Sequence, residues 1–248
     1  MDRVLIVTGG GRGIGAATAL LGAQRGYAVA VNYQKNAAAA EAVARKISDS
    51  GGRALAVAGD VAAEGDVLRL FETVDRSLGR VSALVNNAGI VDRGTRVEHI
   101  DAARIARMFA INVTGSFLCA REAVKRMSTR HGGRGGAIVN VSSIAARLGG
   151  AGEYVDYAAS KGAIDTFTVG LAKEVGAEGI RVNAVRPGII RTEIHQASGD
   201  PARVERIGGT APMQRAGEAE EVARAIVWLL SEEASYMTGA LVDVTGGR

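Results

Sequence analysis

Short apolar runs rich in β-branched residues recur along the whole chain, and a longer amphipathic stretch follows almost every one. The runs are RVLIVT (3–8), AVAVNY (28–33), RALAVAG (53–59), ALVNN (83–87), AIVNVS (137–142), IRVNAVR (180–186) and ALVDV (240–244). Helix-period segments lie near 14–25, 36–50, 64–79, 101–130, 155–178 and 218–231. Runs this short and this apolar suit strands buried on both faces. Strand, helix, strand, repeated from end to end, predicts an α/β fold with a doubly wound parallel sheet and helices on both faces. No break in composition marks a second domain, so 1–248 is read as one unit. One segment resists the alternation. Residues 192–217 follow a predicted strand end, where open α/β sheets place their ligands, and are read as a substrate lid.

The chain has 248 residues, 47% hydrophobic, enough to bury a sizeable core. Its net charge of +4 suits an enzyme with an anionic ligand as well as a nucleic-acid binder. The most basic stretch, REAVKRMSTRHGGRGG (121–136), has no aromatic residue between its charges, which argues against nucleic acid. It reads as a solvated helix end and loop, with a docking patch for an acidic carrier protein as the alternative. Cys119 is the single cysteine, so no intrachain disulfide is possible, and its setting GSFLCA reads as core. His99, His131 and His195 do not have metal-ligand spacing, and no metal is expected. Four consecutive apolar residues near the start are too few for a signal core, and nothing approaches membrane-spanning length. The expected compartment is the cytoplasm.

After the first run comes VTGGGRGIGAATA, in which Gly9, Gly13 and Gly15 are spaced G-x-x-x-G-x-G. Glycines let the chain turn sharply and let phosphate approach the backbone, and the helix that follows offers free N–H groups and a positive dipole end. Folds that bind NAD carry an acid at the end of the second strand, on the adenosine ribose. Here Asn32, Tyr33, Gln34 and Lys35 contain no carboxylate, and Arg12 lies within the glycine loop. A ribose 2′-phosphate would meet cations and amide donors, so NADP(H) is expected over NAD(H).

The stretch GEYVDYAASKGA (152–163) holds two phenols and a lysine. Tyr157 and Lys161 are four apart, one turn along the same helix face. Tyr154 follows a glycine-rich loop and is expected just before the helix, with Asp156 as its cap, beside the substrate rather than the lysine. A free phenol has a pKa near 10. A fixed ammonium beside Tyr157 is expected to lower it toward the working range of a general acid/base. Ser142 and Ser143 end the fifth predicted strand, where one hydroxyl would hold the substrate oxygen. Asn112 interrupts the apolar helical run MFAINVTGSFLCA and needs partners if buried.

TGGGRGIG (8–15), NNAG (86–89), VNVSS (139–143), YAASK (157–161) and RPGIIRTE (186–193) occur in the order shown by short-chain dehydrogenases/reductases. The resemblance covers essentially the whole chain and is similar to 3-oxoacyl-(acyl-carrier-protein) reductases and to sugar and polyol dehydrogenases. It implies a Rossmann-like sheet of seven strands, NAD(P) across the strand ends, and a homotetramer. It implies that Gly9, Arg12, Gly13, Ile14, Gly15, Asn32 and Tyr33 line the cofactor's phosphates and adenosine ribose. Asp60 and Val61 would flank the adenine, and Asn87, Ala88 and Gly89 would line the cofactor behind the fourth strand. Pro187, Gly188, Ile190 and Thr192 would hold the nicotinamide end. It points to Ser143 with Tyr157 and Lys161, Ser142 being the alternative in register, and implies that Tyr157 and Lys161 also bind the cofactor, Lys161 at the nicotinamide ribose. Asn112 would kink its helix and hold a water near Lys161. Tyr154 would join Ser143 and Tyr157 at the substrate, with Glu153 and His195 as weaker candidates. The implied activity is an NADP(H)-dependent oxidoreductase acting on a carbonyl or secondary alcohol. The alternatives are a sugar or polyol dehydrogenase working mainly on alcohols, and a cofactor-retaining epimerase or dehydratase.

Overall fold

The computed structural model describes residues 3–193 and 202–248. His195 and the part of the expected lid at 194–201 lie outside the described residues.

Strands β1 (Arg3–Val7), β2 (Tyr27–Tyr33), β3 (Ala54–Ala58), β4 (Ala83–Asn86), β5 (Gly136–Val141), β6 (Ile180–Pro187) and β7 (Leu241–Val244) form one parallel sheet. Their order is β3-β2-β1-β4-β5-β6-β7. The order reverses between β1 and β4, and this opens a crevice at the carboxyl ends of the strands. Successive strand residues alternate between two cores. Val4, Ile6, Ala28 and Ala30 pack with α3 (Glu64–Ser77) on one face. Leu5, Val7, Val29 and Val31 pack on the other, against α2 (Ala37–Asp49) and α9 (Ala219–Leu230). A two-sided core is why the strands read as continuous apolar runs.

Helix ends follow local chemistry. Asn36 Oδ1 accepts from Ala39 N at 3.1 Å and starts α2. Glu218 and Glu221 form a reciprocal capping box on α9. By contrast α1 (Gly13–Gln24) has no side-chain cap and no acid in its first turn.

The segment predicted as one helix over 101–130 is broken. It forms α4 (Ala102–Phe109), a π-helical turn at Ala110–Thr114 and α5 (Gly115–Met127). Asn112 is buried in that turn, and its amide bonds to Ile90 and Ser160 from distant segments as well as to Met108 of its own helix. Asp156 does not cap α7 (Val155–Val175). It sits inside the first turn, and its carboxylate accepts from Arg104 Nε at 2.7 Å and Nη2 at 3.2 Å. Short α6 (Ala145–Leu148) and α8 (Arg203–Gly208) were not predicted as separate helices.

The basic stretch 121–136 lies against acids. Arg121 meets Glu64 and Glu122, Lys125 meets Glu122, Arg126 meets Asp75 and Glu122, and Arg130 meets Glu178. Among the described residues, no helix is long and apolar enough to cross a membrane.

Candidate active site

A cavity of about 900 Å³ runs along the carboxyl ends of the strands, within the range of small-molecule sites. One end is built by the turn from β1 into α1. Gly9 (φ 61°) and Gly13 (φ 51°) hold left-handed backbone that a side chain would strain. A Cβ on Gly15 would come within 2.5 Å of Asn87 Nδ2 and of Gly9 O, so no side chain fits there. Asn87 clasps the turn by donating from Nδ2 to Thr8 O at 2.8 Å and Gly9 O at 3.1 Å. Thr8 Oγ1 accepts from the backbone N–H groups of Asn87 and Ala88, both at 3.0 Å. Sequence reasoning passed over Thr8, although its place at the head of the glycine motif was a usable signal.

This cradle suits the pyrophosphate of a dinucleotide: glycines lining the approach, and the uncapped N-terminus of α1 beside them. Ile14, Tyr33, Asp60, Val61, Ala88, Gly89, Pro187, Gly188, Ile190 and Thr192 all line the same cavity. At the ribose end, Arg12, Gln34 and Lys35 are exposed at its edge. Among the described residues, Arg12 and Lys35 have no carboxylate partner. Gln34 Nε2 donates to Asp60 Oδ2 at 2.6 Å. Asn32 differs from its expected use as a free amide donor. Its Nδ2 donates to Val57 O and Gly59 O, and its Oδ1 accepts from Gly9 N, so the side chain shapes the turn.

The other end of the cavity begins at Tyr157 and Lys161. Lys161 Nζ lies 5.7 Å from the Tyr157 ring centroid and donates to Val141 O at 2.7 Å. Burial pushes the lysine down to about 8, against the opposing pull of Asp165. Burial also pushes the Tyr157 phenol up, and a hydrogen bond with Ser143 only partly offsets this. Desolvation is the larger influence on the phenol, so its pKa lies above the usual value, not below it as the sequence predicts. Ser143 faces Tyr157, whereas Ser142 is buried and donates to Lys161 O at 3.2 Å. This geometry favours Ser143 in the register.

Asn112 Oδ1 accepts from Ile90 N at 2.8 Å, and its Nδ2 donates to Ile90 O at 3.0 Å and Ser160 Oγ at 3.1 Å. Ser160 in turn donates to Tyr157 O at 2.7 Å, tying the π turn to the helix that carries the phenol. A methyl built on Gly89 would lie 3.4 Å from Asn112 Oδ1 and 3.6 Å from Lys161 Nζ, so both groups flank one point. Ser160 was missed in the sequence, although it sits one turn from Tyr157.

Tyr154 lies just before α7, buried, and lines the cavity with Glu153. Gly149, Gly150 and Gly152, all at positive φ, form the loop that delivers it. From α8, Arg203, Arg206 and Ile207 line the same cavity. Among the described residues, His99 and His131 lie outside the cavity lining, and no cluster of three or more His, Cys, Asp or Glu is placed to hold a metal. Cys119 is buried and its thiol is pushed up to about 12.

Residues 9–248 match a family model described as enoyl-(acyl carrier protein) reductase. The chain is 58% identical over 245 residues to the uncharacterized oxidoreductase YgfF of Escherichia coli (strain K12), covering 99% of both. It is 38% identical over 246 residues to a 3-oxoacyl-[acyl-carrier-protein] reductase of Synechocystis, covering 99% of this chain and 96% of that one. It is 40% identical over 247 residues to the cis-4-hydroxycyclohexanecarboxylate dehydrogenase of Sinomonas cyclohexanicum, covering 99% and 96%. A dehydrogenase/reductase from Sinorhizobium meliloti 1021 superposes with a TM-score of 0.91 at 31% identity, covering 100% of this chain and 95% of that one. A sheet reversing at β1 and β4, a glycine cradle at that reversal and one cavity shared by Ser143, Tyr157 and Lys161 agree with these likenesses, and the chain belongs to the short-chain dehydrogenase/reductase family of oxidoreductases, which use nicotinamide cofactors.

Proposed function

We propose that the protein is an NADP(H)-dependent oxidoreductase acting on a carbonyl or secondary alcohol, with Tyr157 as general acid/base. The observation that carries this reading is the single cavity that joins an end edged by Arg12 and Lys35, where residues 32–35 after β2 carry no carboxylate, to Tyr157, Lys161 and Ser143. A nicotinamide cofactor bound in the cradle supplies the hydride in reduction and accepts it in oxidation. Ser143 donates a hydrogen bond to the substrate oxygen and holds it at the phenol. Tyr157 gives that oxygen its proton in reduction and takes it back in oxidation. Because burial raises the phenol's pKa, Tyr157 holds its proton at neutral pH, the form that reduction needs. Lys161 sits below the phenol and opposite Asn112, where a water between them would return the proton to Tyr157.

Alcohol oxidation is the second reading, supported by the name of the Sinomonas relative. Reduction of an acyl group on a carrier protein is supported by the names of other relatives. The basic stretch adds little to that, since its cations already face acids. We also propose a cytoplasmic homotetramer. Its support is Phe117 of α5, 47% exposed yet stacked on Phe167 of α7 at 3.8 Å, an apolar pair left for a second copy to cover. A monomer in light scattering would refute the tetramer.

The test of the main reading is a panel of ketones and secondary alcohols assayed with each cofactor. The expected result is a kcat/KM for NADPH at least tenfold above that for NADH, about 1.4 kcal/mol. A tenfold preference for NADH would overturn the cofactor assignment.

A further inference from the structure

At the end of the cavity away from the cradle, Arg203 of α8 is 14% exposed and lines the wall. Its guanidinium carbon sits 4.8 Å above the Tyr154 ring, within cation–π distance. Its Nη1 meets Glu153 Oε2 at 2.7 Å. The two partners differ sharply, because Glu153 is 46% exposed. A sheltered guanidinium held against an aromatic face is costly to leave without an anion, whereas an exposed carboxylate returns to water at little cost. Backbone contacts hold the loop firm whichever way the Glu153 side chain turns: Thr95 N donates to Glu153 O at 2.9 Å, and Tyr154 N to Gly150 O at 2.7 Å.

Apolar side chains share the cavity with Arg203 and Tyr157, beside the polar Arg206 and Thr210. They are Ile144, Leu148, Ile189, Tyr154 and Ile207. Ile207 is one helical turn from Arg203, so one face of α8 presents an apolar surface and then a cation. Such a lining fits a substrate with a carbonyl at one end, an apolar body and an anion at the other.

We propose that Arg203 reads an anionic group on the substrate, at the end remote from the reacting carbon, and that Glu153 is the placeholder this group displaces. The inference rests on the oxidoreductase reading above and adds the substrate class: oxo or hydroxy compounds with an apolar body and an anionic tail. A carboxylate on a small acid and a phosphate on a thioester carrier arm share this chemistry. The guanidinium can bind either in bidentate fashion.

The experiment compares matched pairs with NADPH. Levulinate and its longer linear homologues are each assayed beside their methyl esters. Acetoacetyl coenzyme A is assayed beside acetoacetyl-N-acetylcysteamine, which lacks the phosphates. The expected result is a kcat/KM at least tenfold higher for the anionic member of one pair type, expressed mainly in KM. The pair type showing it identifies the anion as carboxylate or phosphate. Arg203→Gln should bring that ratio toward one, and Arg203→Lys should keep most of it. Glu153→Gln should raise the ratio by removing the placeholder. A binding readout stands beside turnover: saturated monocarboxylates should raise the Tm of the NADPH complex in wild type and less in Arg203→Gln. Equal rates within both pair types, or an Arg203→Gln that slows both members equally, would overturn the inference while leaving the oxidoreductase reading intact. No turnover of any member, together with no carboxylate-dependent Tm shift, would overturn both.

Discussion

The two ends of the cavity are built differently. The cradle end is made of backbone: glycines at positive φ, a helix start without a side-chain cap, and strand ends clasped by Asn87 and Thr8. The far end is made of side chains carried by separate segments: Ile144 and Leu148 around α6, Glu153 and Tyr154 in the loop before α7, Ile189 after β6, and Arg203 and Ile207 of α8. Backbone geometry recognises what all dinucleotides share, a pyrophosphate, and leaves little room to vary. Side chains on loops vary freely without disturbing the sheet. The proposed chemistry sits at the junction, where α7 contributes Tyr157 and Lys161 from a regular helix.

The largest expected effect comes from breaking that junction. Tyr157→Phe keeps the ring and loses the proton, so kcat should fall by about 10²–10⁴-fold. NADPH titration should give an unchanged Kd. Next comes the ribose edge of the cradle. Arg12→Ala should weaken NADPH by roughly 10- to 150-fold, the value of about 1.5–3 kcal/mol for a charge-assisted contact. NADH should change far less, and equal losses would move the phosphate contact elsewhere.

A smaller effect separates Lys161 from its surroundings. Its folded pKa of about 8 lies below the 10.5 of the free side chain. Between these values the unfolded chain holds a proton that the folded chain has lost, so stability rises with pH across that window. The gain from pH 8 to 10 is about 2–3 kcal/mol. Above pH 10 the raised phenol of Tyr157 works in the opposite direction. Denaturant melts of wild type and Lys161→Met should therefore diverge between pH 8 and 10, and parallel profiles would show that the lysine is not desolvated. The smallest effect is at the far end. Tyr154→Phe should change KM for substrate a few-fold and leave kcat close to wild type, since its ring lies under Arg203 and outside the proton path.

The same contrast explains what the sequence made legible. Gly9, Gly13 and Gly15 belong to one local motif, and Asn87, placed beside them only by the family resemblance, clasps the same turn. Tyr157 and Lys161 share one helix, so a spacing of four was enough. Asn32 lines the cavity, but its amide is taken up by Val57, Gly59 and Gly9, contacts that its place at the end of β2 did not announce. The break at Asn112 was legible as a polar residue in an apolar run. The π turn itself was not, because its partners Ile90 and Ser160 come from distant segments. Arg104 with Asp156, and Arg203 with Glu153 and Tyr154, meet across about fifty residues of chain. No periodicity encodes such pairs. They follow from how the helices pack.

The central claim is that hydride and proton move at one place, beside Tyr157. Its most direct test is a single turnover of enzyme loaded with NADPH deuterated at the transferable position, mixed with a ketone substrate and quenched for mass spectrometry. The expected result is one deuterium on the carbinol carbon in wild type. Tyr157→Phe should bind the same cofactor yet transfer at least a hundredfold more slowly, within the range lost with a general acid. A product without deuterium, or transfer at the wild-type rate in Tyr157→Phe, would contradict the account.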